Sequence, residues 1–290
     1  MPARLKDIAI DLGLSVVTVS KVLRDHPDIG EETRKRVLKR MKEVNYRPNY
    51  AARSLITGRT WTIGIVVPDL LDPFFAQIAN VISTEVRKQG YGLLISSSEE
   101  DPKLERKEID KLLAGRVDVM LISSAQRTAE SFRHIEEQNV PYILLNRQIA
   151  GLESNFVGVN NTMVGHLATS HLIEQGCQRI AHIRGHAEVS TAIDRLEGYK
   201  QALAAHQMVS FPGHIVSVGT STDYHDERGG YEAARKLLAN KIRPDGIFCF
   251  DDPAAIGSMR AIQDAGLRIP EDIAVVAVET RRIPTFSAFH

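Results

Sequence analysis

The sequence predicts an α/β protein, two doubly wound layers behind a small all-helical head, on three observations. From Trp61 onward, short apolar runs alternate with amphipathic stretches, as strand–helix units with right-handed crossovers do. The first 60 residues instead read as short helices joined by turns. The charge is also partitioned. Residues 1–60 hold 13 Lys/Arg and 7 Asp/Glu, a balance of +6, and residues 61–290 hold 23 and 29, a balance of −6, within a formal total of zero. A basic head on an acidic body suggests that the head meets a polyanion while the body does something else.

In order along the chain, Ile8, Ala9 and Leu12 recur at helical spacing, Gly13 breaks the pattern, and Leu14 opens a new apolar contact. Ser15 stands where an N-cap belongs, ahead of Val16-Val17-Thr18-Val19-Ser20-Lys21-Val22-Leu23. Val19, Val22 and Leu23 fall on one face. Val16, Val17, Thr18, Ser20 and Lys21 fall at the helix start and on the other side. Small Ala9 suits a close helix crossing and Gly13 a left-handed turn, so the pair reads as a helix-turn-helix. A plain helical subdomain would bury Val16 and Val17. Adjacent β-branched residues at a cap, beside Thr18, Ser20 and Lys21, instead suit thymine methyls, base edges and phosphates. After a loop over 24–30, Glu31-Glu32-Thr33 opens a third helix with acids at its positive end. Val37, Leu38, Met41 and Val44 form its apolar stripe, and Pro48 ends it. Residues 50–55 are too few for a stable helix alone, and 57–60 read as a linker.

In the body, strands are expected at 62–67, 91–95, 119–122 and 142–145, with helices at 73–89, 103–113 and 132–138 between them. The alternation resumes with helix 164–174, strand 180–183, helix 196–206, strand 214–218, helix 230–239, strand 246–250, helix 254–265 and strand 273–278. Residues 155–161 are expected as the connection between the two layers. Ligands of open α/β sheets bind beyond the carboxyl ends of the strands. Those positions hold Asp69 to Phe75, Ser96-Ser97-Ser98, Ser123-Ser124, Asn146-Arg147, Asp251-Asp252 and Glu279. Hydroxyls, carboxylates, an amide and an arginine near two phenylalanines suit a sugar or other polar metabolite. Strand-end serines also commonly cap the next helix, which is the competing role for Ser97, Ser98, Ser123 and Ser124.

Composition narrows the function. With 43% hydrophobic and 25% charged residues, the chain is neither disordered nor collagen-like, nor a disulfide scaffold. No apolar run approaches the roughly 18–20 residues that span a bilayer. Arg4, Lys6, Asp7 and Asp11 interrupt any signal-peptide core. Cys177 and Cys249 lack ligand-like spacing and read as buried thiols of a reducing compartment. A cytoplasmic globular protein without a membrane partner is expected. No Gly-x-Ser-x-Gly elbow, Walker A loop, Gly-x-Gly-x-x-Gly turn or His-Glu-x-x-His helix occurs. Neither catalysis, metal nor cofactor is therefore expected. A solute-binding protein delivering a sugar to a transporter would share the body fold, but it needs export and has no use for a +6 head.

Leu5-Lys6-Asp7-Ile8-Ala9, Gly13-Leu14-Ser15, Thr18-Val19-Ser20-Lys21-Val22-Leu23, Thr33-Arg34, Tyr46-Arg47-Pro48-Asn49 and Ala52-Arg53-Ser54-Leu55 together resemble the headpiece of the lactose-repressor (LacI/GalR) family. The match runs without a gap over residues 4–59. The resemblance implies a dimeric regulator, most often a repressor, binding double-stranded operator DNA. It further implies that the segment after the third helix is a hinge helix folding on DNA, where Leu55, beside Ala52, wedges into the minor groove. Val16, Val17 and Lys21 are expected to choose bases, and Thr18, Ser20 and Asn49 to position phosphates. Ser15, Arg24 and Arg53 complete the DNA-facing set.

The body looks like the family's periplasmic-binding-protein-like core of two doubly wound subdomains. Asp72-Pro73-Phe74-Phe75 resembles the motif after its first core strand, Arg195-Leu196-Glu197-Gly198 its Arg-x-x-Gly, and Asp251-Asp252 its Asn/Asp-Asp pair. Asn146 and Glu279 stand where the family usually has aspartates. The implied effector-binding set is Phe74, Phe75, Ser97, Ser123, Asn146, Arg195, Asp251 and Glu279. The expected domains are residues 1–48, a hinge and linker over 49–60, and subdomains over 61–160 and 161–290. Residues 280–290 resemble nothing in the family, whose members usually run some tens of residues further. A shortened product, or a sheet edge covered by another surface, is expected.

Overall fold

The structure is a computed structural model that describes residues 3–23, 26–46, 54, 58–219 and 227–278. It divides into two compact units at Thr60 and Trp61.

In the first unit, α1 (Leu5–Leu12), α2 (Val16–Leu23) and α3 (Glu31–Glu43) enclose Ile8, Ala9, Val19, Val22, Val37 and Met41. Gly13 adopts φ +64°, and the Leu14 amide turns back to the Ala9 carbonyl at 2.9 Å, closing α1 with a left-handed cap. Ser15 Oγ accepts from the Thr18 amide at 3.0 Å and caps α2. Arg40 ties α3 to α1 through Asp11, at 2.6 and 2.9 Å. Leu38 corrects the expected stripe: it is 50% exposed, one position off the Val37–Met41 face.

The second unit contains two parallel sheets. The first runs β2 (Gly92–Ser97), β1 (Thr62–Val67), β3 (Val119–Ile122), β4 (Tyr142–Leu145) and β5 (Asn155–Val157), in that spatial order. The second runs β7 (Ile215–Ser217), β6 (Ile180–Arg184), β8 (Gly246–Cys249) and β9 (Ala274–Ala277). The buried runs Gly64 to Val67 and Ile180 to Ile183 show why the strands read as continuous apolar segments: parallel sheets are covered on their faces.

In the first layer, α4 (Pro73–Lys88), α5 (Pro102–Ala114) and α6 (Arg133–Glu137) make the crossovers, α6 after a 3₁₀ turn over Ala129–Phe132. The second layer uses α7 (Asn161–Glu174), α8 (Ser190–Ala205), α9 (Glu227–Leu238) and α10 (Asp252–Asp264). Its helices pack in two glycine-matched pairs. A side chain on Gly165 of α7 would strike the Arg195 backbone, and one on Gly198 of α8 the Thr162 carbonyl. Gly230 of α9 and Gly257 of α10 are matched in the same way to Ala254 and Glu227.

Two expectations need correction. Residues 155–157 do not merely connect the layers but pair in parallel with β4 as an edge strand. Three residues with Asn155 and Val157 exposed carry no strand pattern. Helix α8 begins at Ser190, six residues before the expected 196, because its first turns spend their side chains on polar contacts rather than an apolar stripe. None of the described helices is long and apolar enough to cross a membrane.

Candidate functional site

Two surfaces concentrate the expected functional residues. On α2, Val19 and Val22 enter the head core, whereas Val16 and Val17 are 43% and 62% exposed. Thr18 Oγ1 lies 2.8 Å from Ser15 Oγ, so the cap orders the hydroxyl beside the exposed valines. Lys21 follows Val17 by one turn and donates to Asp28 Oδ2 at 2.5 Å. Ser20 is half-buried on the same helix. Arg24, Asn49, Ala52, Arg53 and Leu55 lie outside the described residues, as does most of the expected hinge.

The second surface is a cavity of about 850 Å³ at the carboxyl ends of strands from both sheets. Phe74, Phe75, Asn146, Arg195 and Asp251 all line it. Asp72 caps α4 by accepting from the Phe74 amide at 2.8 Å, and thereby aims the first turn at the cavity. Phe74 and Phe75 meet edge to face, with centroids 5.1 Å apart, and Phe75 is buried. Asn146 ends β4 at φ +61°, a left-handed conformation that asparagine tolerates, with its amide bonded to the Val157 carbonyl at 2.8 Å.

Arg195 is only 8% exposed. Its Nε donates to Asn161 Oδ1 at 2.9 Å and its Nη1 to the Phe250 carbonyl at 2.6 Å. The guanidinium also lies over the Phe250 ring, 4.5 Å from the centroid. Asp251 caps α10, accepting from the Ala254 amide at 2.9 Å. Burial pushes its carboxyl up to about 7; the Ala254 amide and Arg195 oppose the rise, and the charges of Asp72 and Asp252 reinforce it. Asp69 and Arg147 also line the cavity, but Arg147 is held in a bidentate pair with Glu100 at 2.6 and 2.8 Å.

Ser97 and Ser123 do not line this cavity, which corrects their expected placement. Ser97 Oγ donates to the Pro68 carbonyl at 3.2 Å. Ser123 is fully buried, its amide bonded to Val66. Their neighbours likewise turn inward: Ser98 Oγ donates to Val67, and Ser124 Oγ donates to Glu105 at 2.6 Å. Glu279 lies outside the described residues.

Sequence reasoning missed Asn161, Thr191 and Phe250. Phe250 ends the expected strand 246–250 and could have been found as a strand-end aromatic, whereas Asn161 meets Arg195 across 34 positions with no local signal. The buried carboxylate Glu105, which accepts from Ser124 and the Ala125 amide, was also missed. Burial raises its carboxyl above the usual range, against those two hydrogen bonds and the Arg147 charge. Among the described residues, no cluster of His, Cys, Asp or Glu could hold a metal ion. Cys177 and Cys249 are free and buried.

Residues 4–49 match the family described as bacterial regulatory proteins, lacI family. Residues 60–285 match the periplasmic binding proteins and sugar binding domain of the LacI family. The ribose operon repressor of Halalkalibacterium halodurans is 32% identical over 275 residues, covering 95% of this chain and 80% of the relative. The HTH-type transcriptional regulator GalR of Salmonella typhimurium is 32% identical over 277 residues, covering 96% and 80%. Among solved structures, the lac repressor dimer bound to operator and the anti-inducer ONPF superposes with a TM-score of 0.85 at 26% identity. That alignment covers 97% of this chain and 84% of the other. The chain belongs to the lacI family of DNA-binding bacterial transcriptional regulators.

Proposed function

We propose that this protein is a cytoplasmic transcriptional repressor that binds double-stranded operator DNA as a homodimer and releases or tightens on it in response to a small polar metabolite. The observation that carries the DNA-binding half is the exposure of Val16 and Val17 at the start of a capped second helix that buries Val19 and Val22. In a helix-turn-helix that end enters the major groove. Val16, Val17 and Lys21 read bases, Thr18, Ser20 and Asn49 position phosphates, and residues 49–60 form the hinge and linker between the head (1–48) and the body. Subdomains over 61–160 and 161–290 hold the effector between them, and the protein acts by binding, without catalysis.

The cavity supports an uncharged, hydroxyl-bearing effector such as a sugar. Asp69, Asp72 and Asp251 face it, while its two arginines already serve Glu100, Asn161 and the Phe250 carbonyl. An anionic ligand finds no surplus of positive charge there, whereas hydroxyls satisfy the carboxyl groups and Phe74 covers an apolar ring face.

Selection of duplexes from a random pool, followed by anisotropy titration, tests the DNA half. Val16→Ala with Val17→Ala shifts the selected sequence; an unchanged sequence bound with unchanged affinity removes α2 from recognition. Calorimetry with neutral sugars, sugar acids and purines tests the effector half. Arg195→Ala weakens the effector by about 10- to 100-fold, as expected for a charged hydrogen bond, and leaves operator affinity intact. Undiminished binding removes Arg195 from the site.

A further inference from the structure

The lysine assigned to base reading is not a bare cation. Lys21 Nζ lies 2.5 Å from Asp28 Oδ2, and the other carboxylate oxygen of Asp28 lies 2.6 Å from His26 Nδ1. His26 is itself tied to α3, since Arg34 Nη2 donates to its backbone carbonyl at 3.1 Å. Ile29 anchors the same loop in the head core. The carboxylate thus has two side-chain partners, one on each oxygen, beside the last turn of α2, on a loop that Arg34 and Ile29 hold in place. The Lys21 contact, with a smaller contribution from His26, holds the Asp28 carboxyl below its ordinary range, so it is ionised at neutral pH. Lys21 follows Val17 by four positions, so this carboxylate sits at the end of the exposed face that the valines begin.

We propose that Asp28 is a specificity-determining residue of the DNA-binding head: it cancels the charge of Lys21 and fixes its side chain, so that Lys21 engages DNA only where a base-edge acceptor takes the place of the carboxylate. This rests on the DNA-binding reading of α2. A free lysine beside a groove neutralises a phosphate on any sequence, which raises non-specific affinity without discrimination. A lysine clamped by a carboxylate contributes little to that background, because the carboxylate repels the phosphates that the ammonium attracts. On a correct site, an acceptor such as guanine O6 or N7 competes for one of the three ammonium donors, and the clamp has already set the direction of the side chain. Asp28 therefore trades non-specific affinity for discrimination.

The salt dependence of binding separates this from a merely structural role. The full-length wild type, Asp28→Asn, Lys21→Gln and the double variant are titrated against a duplex of random sequence and against the duplex that the wild type enriches from a random pool, over a range of salt. Asp28→Asn steepens the log–log salt slope on random DNA by about 0.9 per head, one extra phosphate neutralised, and binds it several-fold tighter at low salt. The preference for the enriched duplex falls. Lys21→Gln leaves the random-DNA slope unchanged in the wild-type background but lowers it by about 0.9 per head in the Asp28→Asn background.

Equal random-DNA slopes for the wild type and Asp28→Asn, or a steepening that survives removal of Lys21, overturn the inference. A slope drop on Lys21→Gln in the wild type overturns it independently, with Asp28 untouched. Absence of salt-dependent binding of any duplex by the wild type overturns the DNA-binding reading itself, and this inference with it.

Discussion

Replacing Asp251 by asparagine isolates one titration. Asparagine caps a helix about as well as aspartate, so the bond to the Ala254 amide at 2.9 Å survives. What disappears is a carboxyl that burial holds at about 7 against an ordinary 3.8. Between those limits the folded state keeps a proton that the unfolded state has lost. Stability of the wild type therefore falls as pH rises through this window and is fully present only below it. The displacement corresponds to ~4 kcal/mol at most. Solvent entering the cavity screens the group, and about half of that, ~2 kcal/mol, is the expected difference. Urea unfolding followed by circular dichroism between pH 4 and pH 8, an interval set by those two values, measures it. The two proteins start together at the acid end, and Asp251→Asn gains on the wild type until the curves run parallel above neutrality. Parallel curves over the whole interval would refute the assignment of a buried, proton-holding Asp251, and so would a variant that gains on the wild type as pH falls.

Two further substitutions test the scaffold. Gly257→Ala places a methyl group against the Glu227 carbonyl and forces α9 and α10 apart, so a loss of ~3 kcal/mol in urea unfolding is expected, whereas Gly30→Ala, where a side chain meets nothing, costs little. Arg147→Met removes the bidentate partner of the part-buried Glu100 carboxylate and a positive charge near the buried Glu105; about 2–3 kcal/mol is lost. Adding Glu100→Gln to that variant recovers part of the loss, which chemical denaturation of both variants reads directly.

Most strands were legible as short apolar runs bounded by turn residues and alternating with helices: Ile63 to Val67 and Val119 to Ile122 are the pattern of a covered parallel sheet. The β5 edge strand was not, because an edge of three residues exposes two of its side chains and leaves no alternation to detect. The head was legible from spacing, but Leu38 shows its limit: an apolar residue one position off a stripe reads as part of it until packing decides. In the cavity, Phe74, Phe75, Asn146 and Asp251 were found because chain position alone puts them beyond strand ends. Arg195 was found only through the family motif, since it projects from a helix. Ser97 and Ser123 occupy equally good chain positions, yet their side chains turn inward, and a strand end does not announce which face its last side chain takes. The glycine pairs of α7–α8 and α9–α10 were invisible for a different reason. Their meaning lies in backbone contacts tens of residues away.

Both caps that aim side chains at the cavity are aspartates, Asp72 on α4 from the first layer and Asp251 on α10 from the second. Their like charges raise each other's cost of ionisation, and the charge of Asp72 is among the causes that hold Asp251 protonated. Ionising both caps together therefore carries an electrostatic cost, which the proton on Asp251 relieves up to about pH 7. A ligand whose hydroxyls bond to both carboxyl groups would lower that cost. Operator and effector occupy different units of the chain, so their influence on each other is one coupling free energy, equal in both directions. An effector that weakens operator binding tenfold is bound tenfold more weakly by the operator complex, and one indifferent to how the two layers sit shifts nothing, however tightly it binds.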